Sequence, residues 1–241
     1  MTFSIEPVGI IHSCFSDKFG VPRQSRLVAS ACARLQLLPP YDRPEVCAGL
    51  EGYSHVWISF VFHHCLGQQA RLSVRPPRLG GNRRVGVFAS RATHRPNPIG
   101  LSVVALAGVE RDEEGVSLLL RGVDLVNGTP VLDIKPYLAT EDAVAGARAD
   151  YAAEPPEARF QVRFGALAQR QCRRYAAAYP DLPELIEAVL SLDPRPAYHA
   201  GRRGAKPYVV TLYGLDVRWS VVAEHVIEVD AIEPAERGRW H

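Results

Sequence analysis

The sequence predicts a mainly β chain: an N-terminal β-barrel made from a single sheet, joined to a small α+β C-terminal domain. Three observations carry that expectation. Short apolar-alternating stretches recur through the first part of the chain, punctuated by Gly, Pro and Asn-Gly turns, with few helical patterns between them. Around Ala139–Glu157 the alternation lapses into Ala, Asp and Gly and ends at Pro155-Pro156, as a linker does. Beyond it, two helical stretches precede three alternating ones. The expected division is a barrel over residues 1–140, a linker over 141–157 and the C-terminal domain over 158–235.

In chain order, the alternation predicts strands at Val8–His12, Arg34–Leu38, His55–Phe62, Arg84–Ala89, Leu101–Glu110, Val116–Arg121 and Val131–Lys135. Leu101–Glu110 and Val116–Arg121 form the clearest hairpin, joined by the polar turn Arg111–Gly115. Asn127-Gly128 marks the turn before Val131, and Pro44–Leu50 reads as a helical turn. His55–Phe62 (HVWISFVF) is apolar on both faces, as a central strand is. Ala166–Ala178 and Leu182–Leu192 are expected to be helices, the second with an acidic first turn. Strands are then expected at Tyr208–Tyr213, Val217–Val222 and Val226–Ile232.

Composition bounds the function. A chain of 241 residues with 47% hydrophobic and 22% charged residues is an ordinary globular protein. A net charge of +2 is too small to point to nucleic acid by itself; the uneven distribution does that. No signal peptide and no membrane-spanning apolar run is evident. Cys14, Cys32, Cys47, Cys65 and Cys172 are odd in number, widely spaced and without a CxxC, which suits a reducing cytoplasm and argues against a disulfide framework or zinc ribbon.

The stretch Arg75–Leu101 (RPPRLGGNRRVGVFASRATHRPNPIGL) concentrates the charge. Six arginines sit among prolines and glycines, and no Asp or Glu occurs between Glu51 and Glu110. Proline stiffens such loops and glycine lets a partner approach the backbone. Arginines held stiffly without a local carboxylate suggest an anionic ligand; the alternative is that they are solvated or meet distant acids.

This stretch, with Pro22–Gln24 (PRQ), LEGYSHVWISFVFHH, DLVNGTPVLDIKPY and DPRPAY, resembles the TrmO family of YaeB-like proteins, in order and over nearly the whole chain. The resemblance implies an S-adenosylmethionine-dependent methyltransferase acting on N6 of threonylcarbamoyl-adenosine 37 in a threonine tRNA, and a homodimer. The residues alone do not give the cofactor, because no GxGxxG follows a strand and opens a helix.

With that cofactor granted, its ribose diol wants a carboxylate and its adenine a flat apolar slot. Asp133, ending a strand before a rigid Pro turn, suits the ribose; a salt bridge to Lys135 is the competing reading. Ile134, Lys135 and Pro136 would continue the site, with Ile134 and Pro136 lining the adenine slot. The resemblance also implies ligand contacts at Ser25, Arg26, Leu27, His63, His64, Arg91, Leu101, Ser102 and Val103. It usually shows His-Gln where this chain has His63-His64.

No metal site is expected: in a strand-like run the side chains of His63 and His64 point to opposite faces. Methyl transfer to an exocyclic amine needs alignment, worth on the order of 7–11 kcal/mol, and a proton acceptor. Asn97, in RPNP, and Asp124, in DLVNGTP, are candidate acceptors, and each is equally a turn former. The carboxylate of the threonylcarbamoyl group wants a fixed cation, Arg95 or Arg91. Arg75, Arg78, Arg83 and Arg84, then Arg202 and Arg203, suit the tRNA backbone, and Tyr137 and Tyr198 are candidate stacking platforms for anticodon-loop bases. Two rival readings are a non-catalytic RNA-binding module and a small-molecule methyltransferase on the same barrel.

Overall fold

Alternation at period two builds the first sheet. Its strands are β1 (Gly9–Ser13), β2 (Cys32–Leu37), β3 (His55–Val61), β6 (Ile99–Asp112), β7 (Gly115–Arg121) and β8 (Pro130–Pro136), closed into an antiparallel barrel in the order β1-β2-β7-β6-β3-β8. The short pair β4 (Ser73–Val74) and β5 (Val85–Gly86) forms a separate ribbon in the arginine-rich stretch. This computed structural model describes residues 3–79, 83–154, 156–158, 160–195 and 207–235.

The barrel interior follows from register. Ile11 lies opposite Leu35 and Leu35 opposite Leu118, while Val56 and Ile58 lie opposite Val104 and Ser102. All of these are buried, and the core gains about 1.5–3 kcal/mol for each large apolar side chain withdrawn from water. Two bulges bend the long strands around the barrel, one at Leu106/Gly108 and one where β3 meets β8 beside Ser59/Phe60. Gly100 lies across from Phe60, and a Cβ there would come within 2.2 Å of the Phe60 ring, so only glycine lets the ring fill that end.

The C-terminal region is a four-stranded sheet in the order β10-β11-β12-β9, from β9 (Gln161–Phe164), β10 (Tyr208–Leu212), β11 (Leu215–Ala223) and β12 (Val226–Pro234). A short helix α1 (Ala139–Asp142) precedes it; α2 (Ala166–Tyr175) packs against β12, and α3 (Leu182–Ser191) buries Leu182, Leu185, Ile186, Val189 and Leu190. Among the described residues no helix is long and apolar enough to cross a membrane.

Two local expectations need correction. Arg84–Ala89 is not one strand: only Val85–Gly86 pairs, and Val87–Ala89 turns as a 3-10 helix closed by the Ser90 hydroxyl on the Val87 carbonyl. His63 and His64 do not continue β3. They form a 3-10 turn with Cys65, and their rings lie 4.2 Å apart instead of on opposite faces. Strand β9 and helix α1 went unforeseen, since four residues are too few for a periodic signal.

Candidate active site

Antiparallel pairing brings the ends of β1, β3 and β7 and the beginnings of β2, β6 and β8 to one end of the barrel. There a cavity of about 550 Å³ opens, within the ~300–1,000 Å³ usual for ligand sites. Four segments line it: Lys18 and Val21–Gln24 after β1; Phe60–Cys65, with Trp57, from β3; Ser90, Arg91, Thr93 and Arg95 with Ile99–Ser102; and Asp124–Val126 with Thr129. Trp57, Phe60, Phe62 and Leu101 supply flat apolar wall. The Trp57 indole is fixed by donating to Asp142 Oδ2 at 2.9 Å, and the same oxygen accepts the Leu138 N–H at 2.9 Å.

Asp124 is the one carboxylate among the lining residues, which also include Lys18, Arg23, Arg91 and Arg95. Its Oδ1 is fully enclosed without a hydrogen-bond partner. Burial pushes the carboxyl up to about 6, against the pull of the Ser102 hydroxyl, the backbone N–H groups of Asp124 and Ser25, and the Arg91 charge. An enclosed oxygen with spare acceptor capacity is costly to keep, and it is chemically suited to take a proton near neutral pH.

Around this carboxylate the chain braces its cations. Arg95 Nη1 donates to the Ser90 carbonyl at 2.7 Å and the Val87 carbonyl at 3.4 Å, so the 3-10 turn aims the guanidinium. Arg91 Nη1 donates to Gln24 Oε1, and Gln24 Nε2 donates to the Arg23 carbonyl at 2.6 Å. Gln68 ties two loops together: its amide donates to the His64 carbonyl at 2.8 Å and its Oε1 meets His94 Nε2 at 2.9 Å. Burial, then His64 and Lys18, hold the His63 ring below the usual histidine range, which favours its neutral form. Among the described residues no three His, Cys, Asp or Glu side chains converge as a metal site would need.

The structure gathers part of the expected set. His63, His64, Arg91, Arg95, Leu101, Ser102 and Asp124 line the cavity. Ser25 touches Asp124 through its backbone, and Arg26 holds the left-handed φ of 66° while its N–H donates to the Gly122 carbonyl at 2.7 Å. Leu27 is half-buried behind that loop.

Val103, Asp133 and Lys135 lie on the outer barrel face: Val103 pairs with Trp57, Lys135 also with Trp57, and Asp133 with Ser59. Asp133 is bonded to Lys135 and to the Ile134 N–H, and it stands outside the cavity lining. Ile134 sits opposite Ile58 and packs on the core, so its side chain cannot share a slot with Asp133; Pro136 falls opposite Val56.

Asn97 is exposed and off the cavity wall, its carbonyl accepting the Ile99 N–H at 2.7 Å, as a turn former's would. Tyr137 packs its ring against Trp57 and His55 on the outer face. Arg75, Arg78, Arg83 and Arg84 are exposed; Arg84 donates to Ser73 Oγ at 3.0 Å, and among the described residues none of the four is in an ion pair. Tyr198, Arg202 and Arg203 lie outside the described residues. Sequence reasoning missed Trp57, Phe60, Phe62 and Lys18 as wall residues, although the alternation of β3 placed Trp57 on its outer face.

A closed antiparallel barrel with an arginine-fringed cavity around one enclosed carboxylate defines a class of small-ligand site combined with an anion-facing rim. The particular family follows from comparison. Residues 10–143 match the tRNA-methyltransferase O N-terminal domain and residues 157–235 the TrmO C-terminal domain, so the chain belongs to the TrmO family. It is 47% identical over 97% of its length, and 99% of the other's, to the Escherichia coli protein named tRNA (adenine(37)-N6)-methyltransferase. It is 50% identical over 95% of its length, and 97% of the other's, to a Pseudomonas aeruginosa protein named putative S-adenosylmethionine-dependent methyltransferase RcsF. A crystal structure of TrmO from Pseudomonas aeruginosa superimposes with a TM-score of 0.80 at 42% identity, covering 96% of this chain and 98% of that one.

Proposed function

We propose that this protein is an S-adenosylmethionine-dependent tRNA methyltransferase that methylates N6 of the adenine at position 37, with threonylcarbamoyl-adenosine of a threonine tRNA as its substrate. The observation that carries the reading is Asp124, a deeply buried carboxylate lining a cavity whose other charged lining groups are cations.

The residues present fit the cofactor. Trp57, Phe60, Phe62 and Leu101 offer a flat apolar wall for an adenine, and Asp124 is a carboxylate where a positive sulfonium needs one. His63, His64, Arg91, Leu101 and Ser102 would hold it along the cavity, with Ser25–Leu27 supporting the wall from behind and Val103 meeting it beside Trp57 on the outer face. Asp133–Pro136 would extend the contact over the outer face, Asp133 toward the ribose and Ile134 by backbone alone. When bound, the donor supplies an electrophilic methyl group.

The remaining work falls to the chain. The cavity wall orients the adenine so that its N6 faces the methyl carbon. Asp124, ionised above about pH 6, takes the proton that N6 loses as the new N–C bond forms. Asn97, off the wall, is second to Asp124 in that role. Arg95, aimed by two carbonyls, receives the threonylcarbamoyl carboxylate, a charge-assisted contact worth about 1.5–3 kcal/mol. Arg75, Arg78, Arg83 and Arg84 meet RNA phosphates, and Tyr137 offers a stacking surface beside Trp57.

Two coarser features belong to the same reading. The family resemblance also favours a homodimer, checked by sedimentation. The protein works in the cytoplasm, and residues 1–140 and 158–235 act as two domains joined by 141–157. The deciding experiment is mass spectrometry of position-37 nucleosides after incubation with donor and tRNA. A methylated threonylcarbamoyl-adenosine is expected; its absence with intact donor and tRNA binding would leave a binding module instead.

A further inference from the structure

Eighteen residues, 14–31, separate β1 from β2 without forming a helix or strand of their own. Connections of that length inside a compact fold usually serve a function. The middle of this one is cavity wall: Lys18, Val21, Pro22, Arg23 and Gln24 all line the site, and Gln24 holds Arg91. Its far end is anchored on the barrel by the Arg26–Gly122 bond.

Its near end is anchored on the C-terminal region. The Tyr213 N–H donates to the Cys14 carbonyl at 2.8 Å, Phe15 forms an isolated antiparallel bridge to Leu212, and the Ser16 N–H donates to the Thr211 carbonyl at 3.4 Å. The Gly214 N–H donates to Ser16 Oγ at 3.0 Å. Four residues further on, Gly20 is buried at φ +97° with no room beside it: a Cβ would meet Val210 Cγ2 at 2.2 Å and Val189 Cγ1 at 3.7 Å. Val21, the first wall residue after it, is held by its N–H on the Lys18 carbonyl at 3.4 Å.

The geometry points to the C-terminal region as a brace for the active-site wall. Strand β10 and the Tyr213-Gly214 turn hold residues 14–20, and this hold fixes where Val21–Gln24 stand. Ser16 and Val210 are then positioning residues: neither lines the cavity, yet both act on it through the loop. Loosening them lowers the fraction of molecules whose loop is in the binding-competent arrangement, and apparent donor affinity falls by that same fraction. The donor arm of this inference rests on the proposed activity; the backbone arm does not.

The test uses the full chain carrying Val210→Ala or Ser16→Ala. Hydrogen exchange is read at the amides of Val21, Arg23 and Gln24, and dissociation constants are read for S-adenosylmethionine and for tRNA. Expected are faster exchange at those three amides and weaker donor binding, about tenfold for Val210→Ala and about threefold for Ser16→Ala, with tRNA affinity within about twofold. If Val210→Ala loosens the whole molecule, Ser16→Ala, which removes only one surface hydroxyl, decides. Unchanged exchange and donor affinity in Ser16→Ala would overturn the brace. Weaker tRNA binding with unchanged donor affinity would also overturn it and make the C-terminal region an RNA arm. A wild-type chain that binds no donor would sink the proposed activity while the exchange measurement still judged the brace.

Discussion

The two ends of the barrel treat arginine in opposite ways. At the end away from the cavity, Arg34 reaches Asp112 at 2.6 Å with Glu110 and Glu114 within 4.0 Å, and Arg111 reaches Glu51 at 2.8 Å. At the cavity end, Arg91 and Arg95 bond only to neutral oxygens, and Arg75, Arg78, Arg83 and Arg84 have no carboxylate among the described residues. The same side chain is neutralised within the chain at one end and left for an outside anion at the other. The Arg34 cluster lies at the β6–β7 hairpin, where acids and arginines share a few residues of sequence; the arginine-rich loop before β6 holds no acid at all.

The largest effect is expected where the cavity end does hold a carboxylate. Asp124→Asn should cut the methyl-transfer rate by about 10²–10⁴ while leaving tRNA affinity unchanged. The wild-type rate should rise with pH through about 6 and then level off. Stability should run the other way. With its carboxyl raised from 3.8 to about 6, the folded chain holds the Asp124 proton more tightly than the unfolded chain does. That contribution is full below about 3.8 and lost as pH rises through about 6, so the ionised group costs up to roughly 3 kcal/mol at neutral pH. Asp124→Asn should therefore melt higher than wild type at pH 7.5, by calorimetry. A lower melting temperature there would contradict the enclosed-carboxylate picture.

Arg95→Ala comes next. It should weaken binding of threonylcarbamoylated tRNA by about 10- to 150-fold and spare tRNA lacking that group, in a filter-binding comparison. Equal losses on both substrates would reduce Arg95 to a general phosphate contact. The smallest effect belongs to the other end: Arg34→Gln and Arg111→Gln should change tRNA affinity by less than about twofold, because exposed paired arginines carry little free charge to offer.

Much of the fold was legible because alternation survives in short strands: His55–Val61 and Val116–Arg121 reveal their buried faces residue by residue. The site was legible only in part. The arginine-rich loop announced itself by composition, but composition cannot say that Arg95 is aimed by carbonyls 87 and 90 while Arg75 and Arg78 stand exposed. Asp124 looked like any turn aspartate, and two of the groups that meet its carboxyl, Ser25 and Ser102, come from elsewhere in the sequence. Ile134 and Asp133 are neighbours in sequence and strangers in space, since a strand sends adjacent side chains to opposite faces. His63-His64 was misread because the chain leaves β3 one residue before them, and no local residue marks that departure.

The most direct measurement is the salt dependence of tRNA binding, read as the slope of log Kd against log salt for wild type and two variants. Replacing Arg75, Arg78, Arg83 and Arg84 together with Gln should lower the slope by about three units, at roughly 0.7–0.9 per phosphate contact. The paired variant Arg34→Gln/Arg111→Gln should leave it where it was. Equal slopes in all three proteins would mean that the unpaired arginines of the cavity end do not meet RNA.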